Sequence, residues 1–307
     1  MPKVSVIIPS YDCSAFVRAA VDSALRQTTR DCEVVVVDDG SRDNTCEVLE
    51  PYFADRRFRY LRQQNRGLPG ARNAGVRASD SEYLAFLDAD DALAPDALER
   101  MAAALDESAA SWCLIDILKV GDRLHEVRPT VIPDGDLHLE ILREDFIRRA
   151  MFFRRSAFVE VGMYDEDMHN REDWDINIRM FERRAPFVYV AQPLYLYRWR
   201  GGSITTGNQA KLLRYAEKIL RKHHKRLADA GDRRVAKLYA YNMWDLARRY
   251  IYLVRDYRQG FACMRESIAY DLNFGRLLHP LVHHVRRLPG GARNPVAAHS
   301  PSKATVE

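Results

Sequence analysis

Three carboxylates, Asp88, Asp90 and Asp91, crowd one turn directly after the apolar run Tyr83–Leu87. Adjacent anions repel one another and are costly unless something cationic neutralises them. Oxygen ligands at this density suit Mg²⁺ or Mn²⁺, which keeps waters and commonly bridges a diphosphate. The competing reading is a solvated acidic helix start, because Asp is favoured at N-caps. A second acidic pair, Glu172-Asp173, opens a helical pattern in which Trp174, Ile178 and Phe181 share a face. The helix dipole favours the ionised, proton-accepting form there, although capping charge alone explains the pair equally simply. Arg72 sits among glycines (Gly70, Gly75) that let backbone approach a ligand closely, and a guanidinium can pair with phosphate. Tyr11 can lie flat on a nucleobase while Asp39 accepts a hydrogen bond from its edge. Their plainer readings are a half-buried aromatic and a turn carboxylate.

These residues need a frame, and the first 120 residues supply one by alternating β-rich runs with amphipathic helical patterns. The strands predicted are Val4–Ile8, Glu33–Val37, Phe58–Leu61, Tyr83–Leu87 and Trp112–Leu118. Between them Phe16, Val17, Ala20, Val21, Ala24 and Leu25 fall at helical spacing, as do Leu98, Met101, Ala102 and Leu105 after Pro95. Such alternation implies βαβ crossovers and an α/β fold with a mostly parallel sheet flanked by helices. Ligands bind beyond the carboxyl ends of such strands. Every strong signal falls there: Pro9-Ser10-Tyr11-Asp12 after the first strand, Asp38-Asp39-Gly40-Ser41 after the second, the acidic turn after the fourth.

Residues 121–145 read as loops with a hairpin. A helix follows Arg171, then short strands near Phe187–Val190 and Leu194–Arg198, then helices only. Tyr239, Met243, Leu246, Tyr250 and Leu253 mark one buried stripe in the helical part. The expected division is a catalytic unit at 1–205, in two halves at 1–120 and 121–205. A helical region follows at 206–288, then a tail at 289–307, rich in small and polar residues and expected to be disordered.

Charge separates along the same boundary. From Thr205 onward there are 20 Lys+Arg against 8 Asp+Glu, a net +12, whereas the preceding 204 residues carry 27 against 35, a net −8. At 307 residues and 47% hydrophobic content the chain is globular, and no run of apolar residues is long enough to span a bilayer. The start runs directly into a strand-like segment without a cleavable signal pattern. Five scattered cysteines without a CxxC pair point to reduced thiols, hence the cytoplasm.

Taken in order, SVIIPSYD, VVVVDDGSRDNT, NRGLPGARNAG and YLAFLDADD resemble the family 2 glycosyltransferases with a GT-A fold. VGMYDEDMHNREDWDINIRM is similar to that family's acceptor-side Glu-Asp motif, and the matches run from Val4 to about Thr205. The resemblance implies an inverting transferase with its nucleotide-sugar half at 1–120 and its acceptor half at 121–205, in which Pro9, Tyr11, Asp38 and Asp39 bind the donor, Tyr11 and Asp39 through the nucleoside. It further implies that Arg72 serves the donor, Asp90 holds Mn²⁺ or Mg²⁺ with Asp88 facing the donor sugar, and Asp173 of Glu172-Asp173 is the general base. A UDP-sugar is the first expectation for the donor, with dTDP- and GDP-sugars compatible. A glycan or lipid-linked acceptor of the bacterial cell envelope, as in lipopolysaccharide synthesis, is expected from the same resemblance. One departure stands out: the family often has Tyr-Arg-x-His after the last strand, where this chain has Tyr197-Arg198-Trp199-Arg200. Arg198 and Arg200 can neutralise phosphate, but arginine does not ligate metal as imidazole does.

In the basic C-terminal part, Phe274, Leu277, Leu278, Leu281, Val282 and Val285 form an apolar stripe with Arg276, His279, His283, His284, Arg286 and Arg287 largely off it. That pattern suits either packing on the catalytic unit or an anionic membrane surface at the inner face of the cytoplasmic membrane. No nucleic-acid motif accompanies the charge, so nucleic acid is not an expected partner. Adjacent side chains on a helix diverge, so His223-His224 and His283-His284 are not read as metal pairs. The competing classes are a degenerate transferase serving as a scaffold, a sugar-nucleotide pyrophosphorylase and a dehydrogenase. Intact Asp88, Asp90 and Asp173 count against the first. The second lacks its glycine-rich activating loop after strand one, and the third its GxGxxG.

Overall fold

The computed structural model describes residues 2–121, 124–147, 149–199 and 209–271. Strands β1 (Val4–Ser10), β2 (Cys32–Asp38), β3 (Phe58–Arg62) and β4 (Tyr83–Phe86) form the parallel part of one sheet. All seven residues of β1 are buried, as are Val34–Val37 of β2, which is why these runs are continuously apolar rather than alternating. Helices α1 (Val17–Leu25), α2 (Thr45–Leu49) and α3 (Gly67–Arg77) make the crossovers. The close seat of α3 requires glycine: a Cβ on Gly75 would lie 2.5 Å from Ile7 Cγ2 and 3.3 Å from Val37 Cγ2.

Beyond β4 the sheet becomes mixed. It adds β5 (Ala92–Leu93), β6 (Trp112–Gly121), β7 (Leu124–Arg128), β8 (Arg149–Arg154) and β9 (Phe187–Arg198). The strand order is β3-β2-β1-β4-β8-β6-β9-β5, with β7 paired to β6 off that path. The hairpin expected in 121–145 is the antiparallel pair β6–β7. The two short strands expected near 187–198 are one continuous strand, β9, whose register slips where Asp116 meets Pro193. Helix α4 (Ala97–Asp106) follows β5 and buries Leu98, Met101, Ala102 and Leu105, the residues that carried its pattern. Three elements lie where the pattern showed none or broke down: α5 (Leu137–Arg143), β8 and α6 (Arg155–Glu160).

Helix α7 (Glu172–Glu182) buries Trp174, Ile178 and Phe181 as expected. The C-terminal part is α8 (Gln209–Ile219), a π-helical turn Leu220–Lys225, α9 (Arg226–Asp229), α10 (Arg233–Arg249) with a π-helical extension Tyr250–Val254, and α11 (Tyr257–Tyr270). Tyr239, Met243, Leu246 and Tyr250 are buried in the cluster that joins these helices, while Leu253 of the same expected stripe is 58% exposed. The stripe Phe274–Val285 and the tail 289–307 lie outside the described residues. No two of the five cysteines are joined in a disulfide. Among the described residues no helix is long and apolar enough to cross a membrane.

Candidate active site

The parallel strands deliver their carboxyl ends to one edge. Pro9, which has no N–H to give, pairs with Val37 of β2 past the last residue pair joining β1 to β4, Ile7–Phe86. Next to it Asp38 is buried and receives the Ser41 amide at 2.7 Å and the Tyr60 hydroxyl at 2.5 Å. Asp39 receives the backbone amides of Arg66 and Gly67, both at 2.8 Å, and the Gln63 side-chain amide at 2.7 Å. That carboxylate therefore ties the tip of β2 to the start of α3. Gly67 begins the helix at φ +76°, a left-handed backbone suited to glycine. Tyr11 stands on this edge with 42% of its surface exposed.

The centre of the site is Arg72. Its guanidinium is 2% exposed and bonds three carboxylates: Asp88 at 2.8 Å, Glu172 at 3.0 Å and Asp173 at 3.1 Å. It also lies over the Tyr164 ring, 5.1 Å from its centroid. Burial works against its charge, but Asp173, Tyr164, Asp88 and Glu172 together hold the proton far more tightly than in an ordinary arginine. Arg72 thus couples the acidic turn after β4 to the first residues of α7, one hundred positions further along the chain. The sequence reading gave this arginine to phosphate. Here carboxylates engage both terminal nitrogens.

The three aspartates of the acidic turn have different surroundings. Asp91 is buried, accepts the Tyr195 hydroxyl at 2.5 Å and the Arg198 amide at 2.7 Å, and so fastens the turn to β9. Arg198 Nε donates to the Asp90 carbonyl at 2.9 Å, which brings its guanidinium to the turn. Asp88 and Asp90 remain partly exposed. Among the described residues no three His, Cys, Asp or Glu side chains converge tightly enough to enclose a metal ion. One or two carboxylates suit Mg²⁺ or Mn²⁺ when substrate phosphates and waters complete the shell, so Asp88 and Asp90 fit a cation of that kind. Arg200 lies outside the described residues.

Glu172 and Asp173 differ in exposure, 9% against 38% for their side chains. Burial and the neighbouring Asp173 push the Glu172 carboxyl up to about 7, against the pull of Arg72. Burial and the Asp173 charge raise Asp145 likewise, to about 7. Asp145 accepts from the Ile147 amide and the Asn177 side chain, both at 3.3 Å. Asp145, Tyr164 and Tyr195 carry no local sequence signal, since each meets the site only through the fold. The paired histidines diverge as their spacing requires. His223 faces Asp175 and Glu182, and His224 the Leu142 carbonyl.

A parallel α/β sheet continued by mixed strands, with carboxylates gathered at the strand tips and a helical C-terminal part, is the architecture of the GT-A glycosyltransferases. The family model described as glycosyl transferase family 2 matches residues 5–162, and the chain belongs to that family. It is similar to the uncharacterized glycosyltransferase EpsJ of Bacillus subtilis, 30% identical over 67% of this chain and 63% of that one. It is also similar to a chondroitin synthase of Escherichia coli, 31% identical over 64% of this chain and 29% of that protein. The chain thus spans less than two thirds of the length of each. Among solved structures, S. aureus TarS 1-349 in complex with UDP-GlcNAc matches with a TM-score of 0.67 at 20% identity, over 92% of this chain and 87% of that one. The Pyrobaculum calidifontis mannosyltransferase PcManGT, in complex with GDP-Man and Mn²⁺, matches at 0.57 and 18% identity, over 94% and 81%.

Proposed function

We propose that this chain moves a sugar, with inversion, from a nucleotide-sugar donor to a hydroxyl of a glycan or lipid-linked acceptor. Its product belongs to lipopolysaccharide or another cell-envelope polysaccharide. The observation that carries the reading is the buried Arg72 guanidinium, bonded at once to Asp88 on the donor side and to Glu172 and Asp173 on the acceptor side. It sets the two halves of a displacement within one side chain of each other.

In this reading Asp173, the more exposed of its pair, accepts the proton of the acceptor hydroxyl as that oxygen attacks the anomeric carbon. The bond from that carbon to the diphosphate breaks on the opposite side, and a single displacement inverts the centre. A general base contributes about 10²–10⁴-fold in rate. Glu172 shares the Arg72 guanidinium and helps fix Asp173 beside it. On the donor side Tyr11 stacks on the base. Three protein donors already occupy Asp39, out of about four acceptor positions on a carboxylate, which leaves room for one contact from the base edge. Pro9 and Asp38 shape the floor of that site, and Arg198 serves the diphosphate, a role the family resemblance extends to Arg200. Asp88 and Asp90 would hold a divalent cation, which would supply Lewis-acid neutralisation of the charge on the departing diphosphate. UDP is the favoured nucleotide, in keeping with the UDP-GlcNAc complex of TarS, and the chain is taken as one catalytic unit at 1–205 with a helical unit at 206–288. The place of work is the cytoplasm, at the inner face of its membrane.

A panel of UDP-, dTDP- and GDP-sugars, read by thermal stabilisation with Mn²⁺, tests the donor half. One donor should stabilise the protein only with the metal, and Asp90→Ala should abolish that effect. Asp173→Asn should cut turnover about 10²–10⁴-fold with donor affinity nearly unchanged. Unchanged turnover in Asp173→Asn removes that residue from the mechanism.

A further inference from the structure

We propose that His223, reaching over from the C-terminal helices, is a positioning residue that holds the base-bearing helix α7 in register for transfer. The proposal rests on Asp173 being the base. His223 Nε2 lies 2.8 Å from Asp175 Oδ1, and its Nδ1 lies 3.3 Å from Glu182 Oε1. Ionised carboxylates only accept hydrogen bonds, so an imidazole satisfied at both nitrogens carries both hydrogens and a positive charge. His223 is 2% exposed and Asp175 is 0% exposed, so this contact is shut away from water. Asp175 sits two residues after Asp173, in the same first turn of α7.

His223 does not act alone. Lys222 reaches Asp175 and Asp165, both at 2.7 Å, and Lys218 donates to the Asp167 carbonyl at 2.8 Å. Arg226 pairs with Glu182 at 2.6 Å, and Arg179 of α7 itself pairs with Asp175 at 2.7 Å. Lys218, Lys222, His223 and Arg226 recur at helical spacing, so one face of the C-terminal helices lies along α7 and the loop that leads into it. Of the other nearby titratable groups, His224 turns to the Leu142 carbonyl, and His138 approaches Glu182 from α5. Of Lys218, Lys222, His223 and Arg226, the side chains that tie the C-terminal helices to α7 and its leading loop, only His223 changes charge near neutral pH.

Burial opposes the charge on His223, but Asp175 and Glu182 outweigh it and raise its proton affinity above the usual histidine value. The sign follows. The tie is complete below about 6.5, the ordinary histidine range, and is lost as pH rises through the raised value. A neutral ring must then turn a lone pair towards one of two carboxylates. α7 loses a fastening, and Asp173 its exact reach, while the donor site at the tips of β1 and β2 is untouched.

The test follows nucleoside diphosphate release from the UDP-, dTDP- or GDP-sugar that turns over fastest with Mn²⁺. Wild type, His223→Ala, His223→Gln and Asp173→Asn are compared from about pH 6 to about pH 9, a range centred above the histidine value. His223→Ala should lower kcat about ten- to a hundredfold with the donor KM within about twofold, the size expected of a misplaced catalytic group. His223→Gln, which keeps an N–H for Asp175 but cannot titrate, should recover much of kcat and lose the alkaline fall. Wild-type kcat in His223→Ala, a KM that moves with kcat, or an unchanged pH profile in His223→Gln would each overturn the proposal. Should His223→Ala fail to fold, the Gln profile and an NMR titration of the wild-type ring decide it. Normal turnover in Asp173→Asn sinks the base reading itself. An inactive Asp173→Asn beside a wild-type His223→Ala sinks only the positioning role.

Discussion

Arg72 concentrates the consequences of the site in one side chain. A cation 2% exposed and shared by three carboxylates cannot be removed without leaving buried negative charge uncompensated. Breaking a buried ion pair from one side costs about 3–5 kcal/mol. Arg72→Ala should therefore lower the free energy of unfolding by about that amount in urea titration, and Arg72→Lys should not restore it, because a single ammonium nitrogen cannot stand in for two guanidinium nitrogens that face Asp88 on one side and Glu172 and Asp173 on the other. A loss within about 0.5 kcal/mol, the range of an ordinary surface substitution, would contradict this account. Glu172 carries the pH dependence of the same cluster. Its folded-state carboxyl is pushed up to about 7 by burial and by Asp173, so the folded protein holds a proton that the unfolded chain has released. Its contribution is fully present below about 4.3, the unfolded value, and is lost as pH rises through the folded one. Glu172→Gln, a fixed imitation of the protonated form, should flatten the decline of Tm across that window. A wild-type slope in the variant would show that the proton resides elsewhere, with Asp145 the first alternative, since burial and Asp173 raise it to about 7 as well.

At the level of elements, the seat of α3 on the sheet fixes where Arg72 can point. Gly75 meets Ile7 and Val37 with no room for a methyl group, the nearest atom being 2.5 Å from an ideal Cβ. Gly75→Ala should cost about 1–3 kcal/mol through overpacking. It should also weaken donor-dependent stabilisation, because the helix that carries Arg72 must lift; unchanged stability and donor response would free α3 from that constraint. The parallel half of the sheet was legible because a strand buried on both faces must be apolar throughout, as Val34–Val37 is, and its chemistry gathers at strand ends. The stretch from residue 121 to residue 205 was harder to read. α5 spans only seven residues, too few to display a helical period, and is announced chiefly by Asp136, whose side chain caps the His138 amide. β9 reads as two strands because Pro193 interrupts the pattern, yet the pairing passes through it by a slip of register. The carboxylates were legible one by one, but their wiring was not. Nothing near Asp91 in the sequence points to Tyr195, and nothing near Arg72 points to Glu172, since both contacts bridge about a hundred residues of chain.

Across the whole molecule, charge and exposed apolar surface gather in the same helices. Residues 209–271 carry 15 Lys+Arg against 7 Asp+Glu, a net +8. Among the described residues, Tyr241, Tyr252, Leu253, Tyr257, Phe261 and Ile268, each 39–67% exposed, account for half of the large hydrophobic side chains left in solvent. Tyr241 and Tyr252 are eleven residues apart, three turns, on the outward side of α10 and its extension. Tyr257, Phe261 and Ile268 recur at i, i+4 and i+11 along α11, with Arg265 between them. Tyrosines suit a headgroup layer, where a ring can be half in lipid and half in water, and each nearby arginine adds about 1 kcal/mol of attraction to anionic lipid. A lipid-linked acceptor would then meet the enzyme at the surface that holds it. The protein should sediment with vesicles of phosphatidylglycerol and phosphatidylcholine far more than with phosphatidylcholine alone, and added salt should release it as the charges are screened. Replacing Tyr252, Leu253, Tyr257 and Phe261 together by serine should abolish sedimentation while donor-dependent thermal stabilisation persists, because none of the four is among the partners of Arg72, which are Asp88, Glu172, Asp173 and Tyr164. Equal sedimentation with neutral and anionic vesicles, or full binding by the fourfold variant, would remove this face from the membrane and leave its aromatics unexplained.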